Sequence, residues 1–298
     1  MKDINGIPVE RLLLKHLTRD NVINYLQWLH NTKKNTSATC NYRLAAIRSF
    51  CSYLQYIVID NMVEWQSILS IKAKKTEISP PNYLSMEGIK LLLAQPDTTS
   101  WKGRRHLALL SLMYDTGARV QEIADLTVDC VRIDTTPYTI RLTGKGRKTR
   151  IVPLAEAQVD ILRSYMEENN LNDPNMMKKP LFFNGRHEKL TREGITYILK
   201  IYADMANKQQ PEIIPKKISC HSIRHSKAMH LLQAGVNLVY IRDILGHVSI
   251  QTTDIYARAD SKAKREALEN ARLTPNTITE KEWERNKNLL EWLKGLGH

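Results

Sequence analysis

From Thr18 to Ile68 the apolar side chains recur at intervals of three and four: Val22, Tyr25, Leu26 and Leu29, then Leu44, Ile47, Phe50, Cys51 and Leu54. That is the period of amphipathic helices. Thr18, followed by Asp20 and Asn21, supplies a cap for the first, and the polar run from Asn31 to Ser37 reads as the connection to the second. The periodicity then lapses. In the run IKAKKTEISPPNY lysines and polar residues replace it, and Pro80-Pro81 cannot continue a helix. An interdomain linker is expected at 76–84, separating a small helical domain over 1–75 from a larger domain over 85–298.

Helical patterning resumes with Ser85 as a cap for Ile89, Leu92 and Leu93, and continues through His106 to Tyr114. A further helix is expected after Thr116-Gly117, carrying Arg119, Glu122, Ile123 and Leu126. Between Val128 and Pro153 the pattern changes to alternation and β-branching around glycines, in VRI, YTIRL, the turn GKGRK and TRIVPL. This predicts a small antiparallel sheet. Helices return in AQVDILRSYMEEN, ITYILKIYADMAN, IRHSKAMHLLQAG and NLVYIRDILGH, with Gly235 and Gly246 as stops. After Tyr256 two more helices are expected. The last opens on the capping-box pair Thr279 and Glu282 and lines up Trp283, Leu289, Leu290, Leu293 and Leu296. Such an apolar face is expected to pack on its own domain or in a neighbouring protomer. The fold class is therefore mainly α (α+β), with the small sheet inside the larger domain.

Composition sharpens this picture. The chain has 298 residues, 42% apolar and 25% charged, which suits folded domains. Lys and Arg number 44 against 31 for Asp and Glu, a net charge of +13, and such a surplus favours a polyanion, nucleic acid first. Cys40, Cys51, Cys130 and Cys220 show no CxxC or metal-ligand spacing and are expected to be reduced core residues. The opening segment lacks the uninterrupted apolar core of a signal peptide. The longest apolar stretch, Leu107 to Tyr114, is far shorter than the roughly 20 residues of a membrane helix, so a cytoplasmic protein is expected.

Four segments concentrate basic or polar residues inside otherwise apolar elements: TGARVQEIADL, LTGKGRKTRIVPL, HSIRHSKAMHLLQAG and LGHVSIQTTDIYAR. Singly, each has an ordinary explanation. Arg119 has Glu122 as an intrahelical partner, Lys145 sits on a hairpin tip, and AGVNLVYIRDILGHVSIQTTDIY fits a helix-turn-helix. Together, Arg119, Lys145, His221, Arg224, His247 and Tyr256 resemble the active-site set of the tyrosine recombinase, or phage integrase, family in its Xer-like form. TGARVQE resembles the first-arginine box, GKGRKTRIVPL the lysine hairpin and HSIRH the His-x-x-Arg box. LGH supplies His247, and Tyr256 follows nine residues later, where the family nucleophile stands.

The resemblance implies a small core-binding (SAM-like) helical domain, a helical catalytic domain and a two-domain grip on double-stranded DNA. It implies a tetramer acting on two DNA sites, with accessory DNA-bending proteins as compatible partners. It also implies cleavage through a covalent 3′-phosphotyrosyl bond at Tyr256, with no cofactor, metal or ATP. The residue types suit that chemistry. A phosphodiester is an anion whose transition state gathers further charge on its nonbridging oxygens, and two guanidiniums present permanent charge with a matching fork of donors. A phenol of ordinary pKa about 10 needs a base or positive surroundings, which His221 and the arginines offer. The departing 5′ oxygen needs a proton, for which Lys145 is the expected donor and Lys148 the nearby rival. A DNA-binding regulator without chemistry and a type IB topoisomerase are the alternatives. The start of the chain and its long tail suggest work for a mobile element.

Overall fold

The computed structural model describes residues 6, 8–76, 81–247, 249, 252, 253, 255 and 256; the side chains of Val9 and Lys145 are not among what it describes. The expected helices after Tyr256, and part of the expected linker, therefore lie outside the described residues. Two compact units are resolved, Met1–Ser79 and Pro80–His298.

In the first unit, α1 (Arg19–Asn31) starts where the Thr18 hydroxyl accepts from the Asn21 N–H, and α2 (Ser37–Leu54) where Thr36 does the same for Thr39. The faces they bury carry Val22, Leu26 and Leu29, then Cys40, Leu44, Cys51 and Leu54. Both close on α3 (Met62–Leu69), whose Trp65 is fully buried and donates its indole N–H to the Val58 carbonyl at 3.1 Å. Buried indole thus satisfies its one polar group, as it must away from water.

The second unit is organised around α5 (Trp101–Thr116), preceded by α4 (Met86–Leu93). Residues 108–113 of α5 are buried all round, because α7 (Glu156–Glu168) and α9 (Cys220–Gln233) pack on different sides of it. The helix begins five residues before the expected His106, since Ser100 caps it by accepting from the Gly103 N–H. After Gly117 comes the short α6 (Val120–Ala124), which departs from expectation: Arg119 sits at its N-cap in extended backbone and Leu126 lies past its end.

Three antiparallel strands follow in order β1 (Val131–Arg132), β2 (Thr139–Thr143) and β3 (Thr149–Pro153). Ile140 pairs with Val152 and Leu142 with Arg150, so these four share the inward face, whereas Arg141 and Ile151 face out. The chain completes the unit with α8 (Arg192–Gln209), α9, α10 (Leu238–Leu245) and a helical turn at Thr252, Thr253, Ile255 and Tyr256. Three of the four cysteines are buried as expected, but Cys130 is half-buried at the root of the sheet. Among the described residues no helix is long and apolar enough to cross a membrane.

Candidate active site

Glu122 organises one wall of the site. It is 3% exposed, and its carboxylate accepts from Arg119 Nη1 at 2.8 Å, from Arg150 Nη1 and Nη2 at 2.9 and 2.7 Å, and from the Arg119 backbone N–H at 2.8 Å. Burial alone would raise its pKa. The donors from Arg150 and Arg119 overcome that and hold it down to about 2, so the group stays ionised. A buried carboxylate is tolerated here because two guanidiniums neutralise it, and their surplus charge faces the cleft.

The guanidiniums are also laced to the backbone of the other motifs. Arg224, on the first turns of α9 and 2% exposed, donates Nη1 to the Gly117 carbonyl and Nη2 to the Leu245 carbonyl, each at 2.7 Å. Arg119 Nη2 donates to the Gly246 carbonyl at 3.2 Å, and Arg150 Nε to that of Ile244 at 2.8 Å. Helix C-terminal carbonyls of α10, otherwise unpaired, are thereby satisfied by cations. The same contacts explain two glycines. Gly246 adopts φ +66°, and a Cβ there would lie 3.0 Å from the Arg150 side chain. At Gly144, at the root of the hairpin, a Cβ would lie 2.9 Å from Glu122 Oε1.

Between the hairpin and α10 opens a cleft of about 470 Å³ lined by Arg119, Lys148, Arg150, Arg242 and His247, with Gly144 and Gly246 among its walls. His247 is half-buried and its Nδ1 lies 3.0 Å from the buried Thr253 hydroxyl. Burial, then the guanidiniums of Arg224 and Arg119, lower its pKa to about 4, so it is neutral at pH 7. His221 and His225 stand one turn apart on α9 with ring centroids 4.9 Å apart and edge to face. His221 is exposed; desolvation at the wall, then Arg224 and Arg119, keep it below its ordinary value.

Tyr256 is 1% exposed, among Ala228, Met229, Ile241 and Leu245. Its hydroxyl lies 2.8 Å from His225 Nδ1, and its ring stands nearly parallel to His247 at 6.4 Å between centroids. Burial raises its pKa and Arg224 opposes that. The turn carrying it is folded onto α9 and α10, and the ring completes a small apolar cluster.

Arg119, Arg224, His247 and Tyr256 thus come together from four separate segments, with His221 on the same helical face as His225. Lys145 occupies the hairpin tip between β2 and β3, where Gly146 at φ +75° turns the chain. Within 234–256, the stretch that also fits a helix-turn-helix, α10 buries Ile241 and Leu245, and the carbonyls at its end accept from the arginines. Two residues not singled out from the sequence belong to the site, Arg150 and His225. Alternation in TRIVP puts Arg150 on the face of the buried Val152, and His225 lies four residues after His221 on one helical face; both were legible signals.

Residues 82–263 match the model described as the phage integrase family. The chain belongs to the phage integrase family of tyrosine recombinases. Among curated relatives, a protein described as integrase/recombinase y4rC of Sinorhizobium fredii is 32% identical over 97% of this chain and 85% of its own length. Tyrosine recombinase XerD of Listeria innocua is 32% identical over 80% of this chain and 77% of its own. Among solved structures, the XerH site-specific recombinase bound to palindromic difH substrate, a post-cleavage complex, matches with a TM-score of 0.66 at 25% identity, over 86% of this chain and 72% of that one. The protein is thus a site-specific tyrosine recombinase, mainly helical with a small sheet.

Proposed function

We propose that this recombinase cleaves and rejoins double-stranded DNA through a covalent 3′-phosphotyrosyl bond at Tyr256, using neither ATP nor a bound metal, in the service of a mobile element. The observation that carries the reading is the lacing described above: Arg224 donates to Gly117 and Leu245, and Arg119 to Gly246, so the arginine box, the His-x-x-Arg box and the LGH motif form one cationic wall beside the phenol.

A scissile phosphate in the cleft meets Arg119 and Arg224 at its nonbridging oxygens, where charge grows in the transition state. His221 and His247 contribute hydrogen bonds to the same oxygens. Tyr256 attacks phosphorus, the 5′ oxygen departs with a proton from Lys145, and the ester stores the bond energy for rejoining. Guanidinium charge supplies the electrostatic stabilisation that a metal ion gives elsewhere. The remaining lysines and arginines, including those of the amino-terminal unit, contact backbone phosphates. Assembly as a tetramer on two sites follows the family. Support for the mobile element comes from the breadth of similarity: the relative matched over 97% of the chain is an integrase/recombinase, whereas XerD matches over 80%.

The test uses duplexes selected from random-sequence DNA by binding to the protein. Two copies of the selected site on one plasmid should recombine in the absence of ATP and with chelator present. Relaxation of supercoils without joining would favour the topoisomerase, and binding without any cleavage the regulator. Tyr256→Phe should bind the site within about threefold of wild type while cleavage disappears, because only a hydroxyl is lost.

A further inference from the structure

The phenol of Tyr256 has a partner that the motif set does not include. Its hydroxyl is buried, and among the described residues its one hydrogen-bond partner is His225 Nδ1 at 2.8 Å. His221, the histidine of the His-x-x-Arg box, makes no such bond and stands exposed one turn away. The direction of the bond follows from satisfiability. If His225 carried its proton on Nδ1, the phenol's own hydrogen would be buried without an acceptor, at a cost of about 1–3 kcal/mol. Nδ1 is therefore the acceptor and the phenol the donor, with the ring's hydrogen on Nε2.

From this we propose that His225 is the catalytic residue that takes the proton of Tyr256 as its oxygen attacks phosphorus. The inference rests on the transesterification reading above. The O–H bond of Tyr256 breaks and an N–H bond forms at His225 Nδ1; the phenolic oxygen bonds to phosphorus; the P–O bond to the 5′ oxygen breaks, and that oxygen takes a proton from Lys145. Net charge is conserved, with one proton passed to the imidazole and one given up by the ammonium. Rejoining reverses each transfer.

The surroundings of His225 explain why DNA must be present. On α9 it faces His221 and Arg224, and from the segment after α10 it faces His247 and Tyr256. No carboxylate is among these groups. Burial first, then His221 and Arg224, lower its pKa to about 4, so the free protein holds it neutral and ready to accept. A phosphate anion entering beside Arg224 supplies the negative charge that makes an imidazolium tolerable there.

The experiment compares wild type with His225→Asn on a nicked suicide duplex carrying the selected site. The Asn side-chain oxygen can accept the phenol's hydrogen bond but cannot take its proton. Cleavage by H225N should fall 100-fold or more at pH 7, as general-base loss typically does, with DNA binding within about threefold. Its rate should climb steadily with pH, as spontaneous ionisation of the phenol takes over. A duplex with sulfur at the bridging 5′ position, whose leaving group needs no proton, should rescue Lys145→Ala and leave H225N slow. Cleavage by H225N within threefold of wild type, with an unchanged pH profile, overturns the assignment. So does loss of DNA binding together with cleavage, which would make the ring structural. Absence of a covalent adduct with wild type would instead sink the recombination chemistry itself.

Discussion

Glu122 shows how one buried acid holds two cations in place. Replacing it with Ala leaves Arg119 and Arg150 without their counter-charge, the situation that costs about 3–5 kcal/mol when a buried pair is broken. Thermal unfolding of Glu122→Ala should therefore shift down sharply, and cleavage should fall because neither guanidinium is aimed. The pH dependence has a definite sign. Glu122 has a folded pKa near 2, below its unfolded value, so its contribution is present above about pH 4.5 and fades as pH falls toward 2. His106, His225 and His247 are held down to about 4 in the fold. The unfolded chain binds protons at these rings first, near 6.5, so stability should decline as pH drops from about 6.5 to 4. Denaturant titrations at pH 7.5, 5.5 and 4.5 check this; a flat profile would contradict the burial of these rings.

At the scale of elements, the β2–β3 hairpin and the end of α10 are locked against the arginine wall by Gly144 and Gly246. Gly246→Ala combines an unfavourable positive φ with a Cβ 3.0 Å from Arg150, and Gly144→Ala pushes on Glu122. Each should lower stability by about 1–3 kcal/mol and depress cleavage more than DNA binding; a Gly246→Ala protein as stable as wild type would show that the α10 cap yields freely. The same elements mark how far periodicity carries. Thr18, Ser85, Gly235 and Gly246 announce helix ends directly, and alternation in YTIRL and TRIVP gives the sheet with its correct faces. Arg119 misleads: its spacing to Glu122 and Ile123 looks helical, yet the backbone is extended there because the Glu122 carboxylate captures its N–H. Helix α5 starts early because Ser100, a polar residue before an apolar run, was a cap hidden in TTSWKG. The six family residues could be picked out by motif. Period also puts Arg150 on the inward face and His225 on the face of His221, but their partners, Glu122 and Tyr256, come from segments distant in the chain, which period does not reveal.

For the whole molecule, the central fact is that Tyr256, the proposed nucleophile, is folded into the apolar cluster of α9 and α10. Exposing a buried aromatic side chain and breaking its hydrogen bond costs on the order of 2–4 kcal/mol, which binding to DNA must offset. Reagents that nitrate accessible tyrosines should spare Tyr256 in the free protein and modify it once a selected duplex is bound; equal modification in both states would contradict its burial. The net charge of +13 predicts strong salt dependence. With about six phosphate contacts, affinity should fall roughly a thousandfold between 50 and 200 mM salt. Wild-type protein trapped on a nicked suicide duplex is digested, and the peptide bearing the nucleotide is sequenced by mass spectrometry. A 3′-linked nucleotide on the Tyr256 hydroxyl, absent from Tyr256→Phe, is expected. A nucleotide attached to any other side chain, or an adduct that survives in Tyr256→Phe, would contradict the proposed bond at Tyr256.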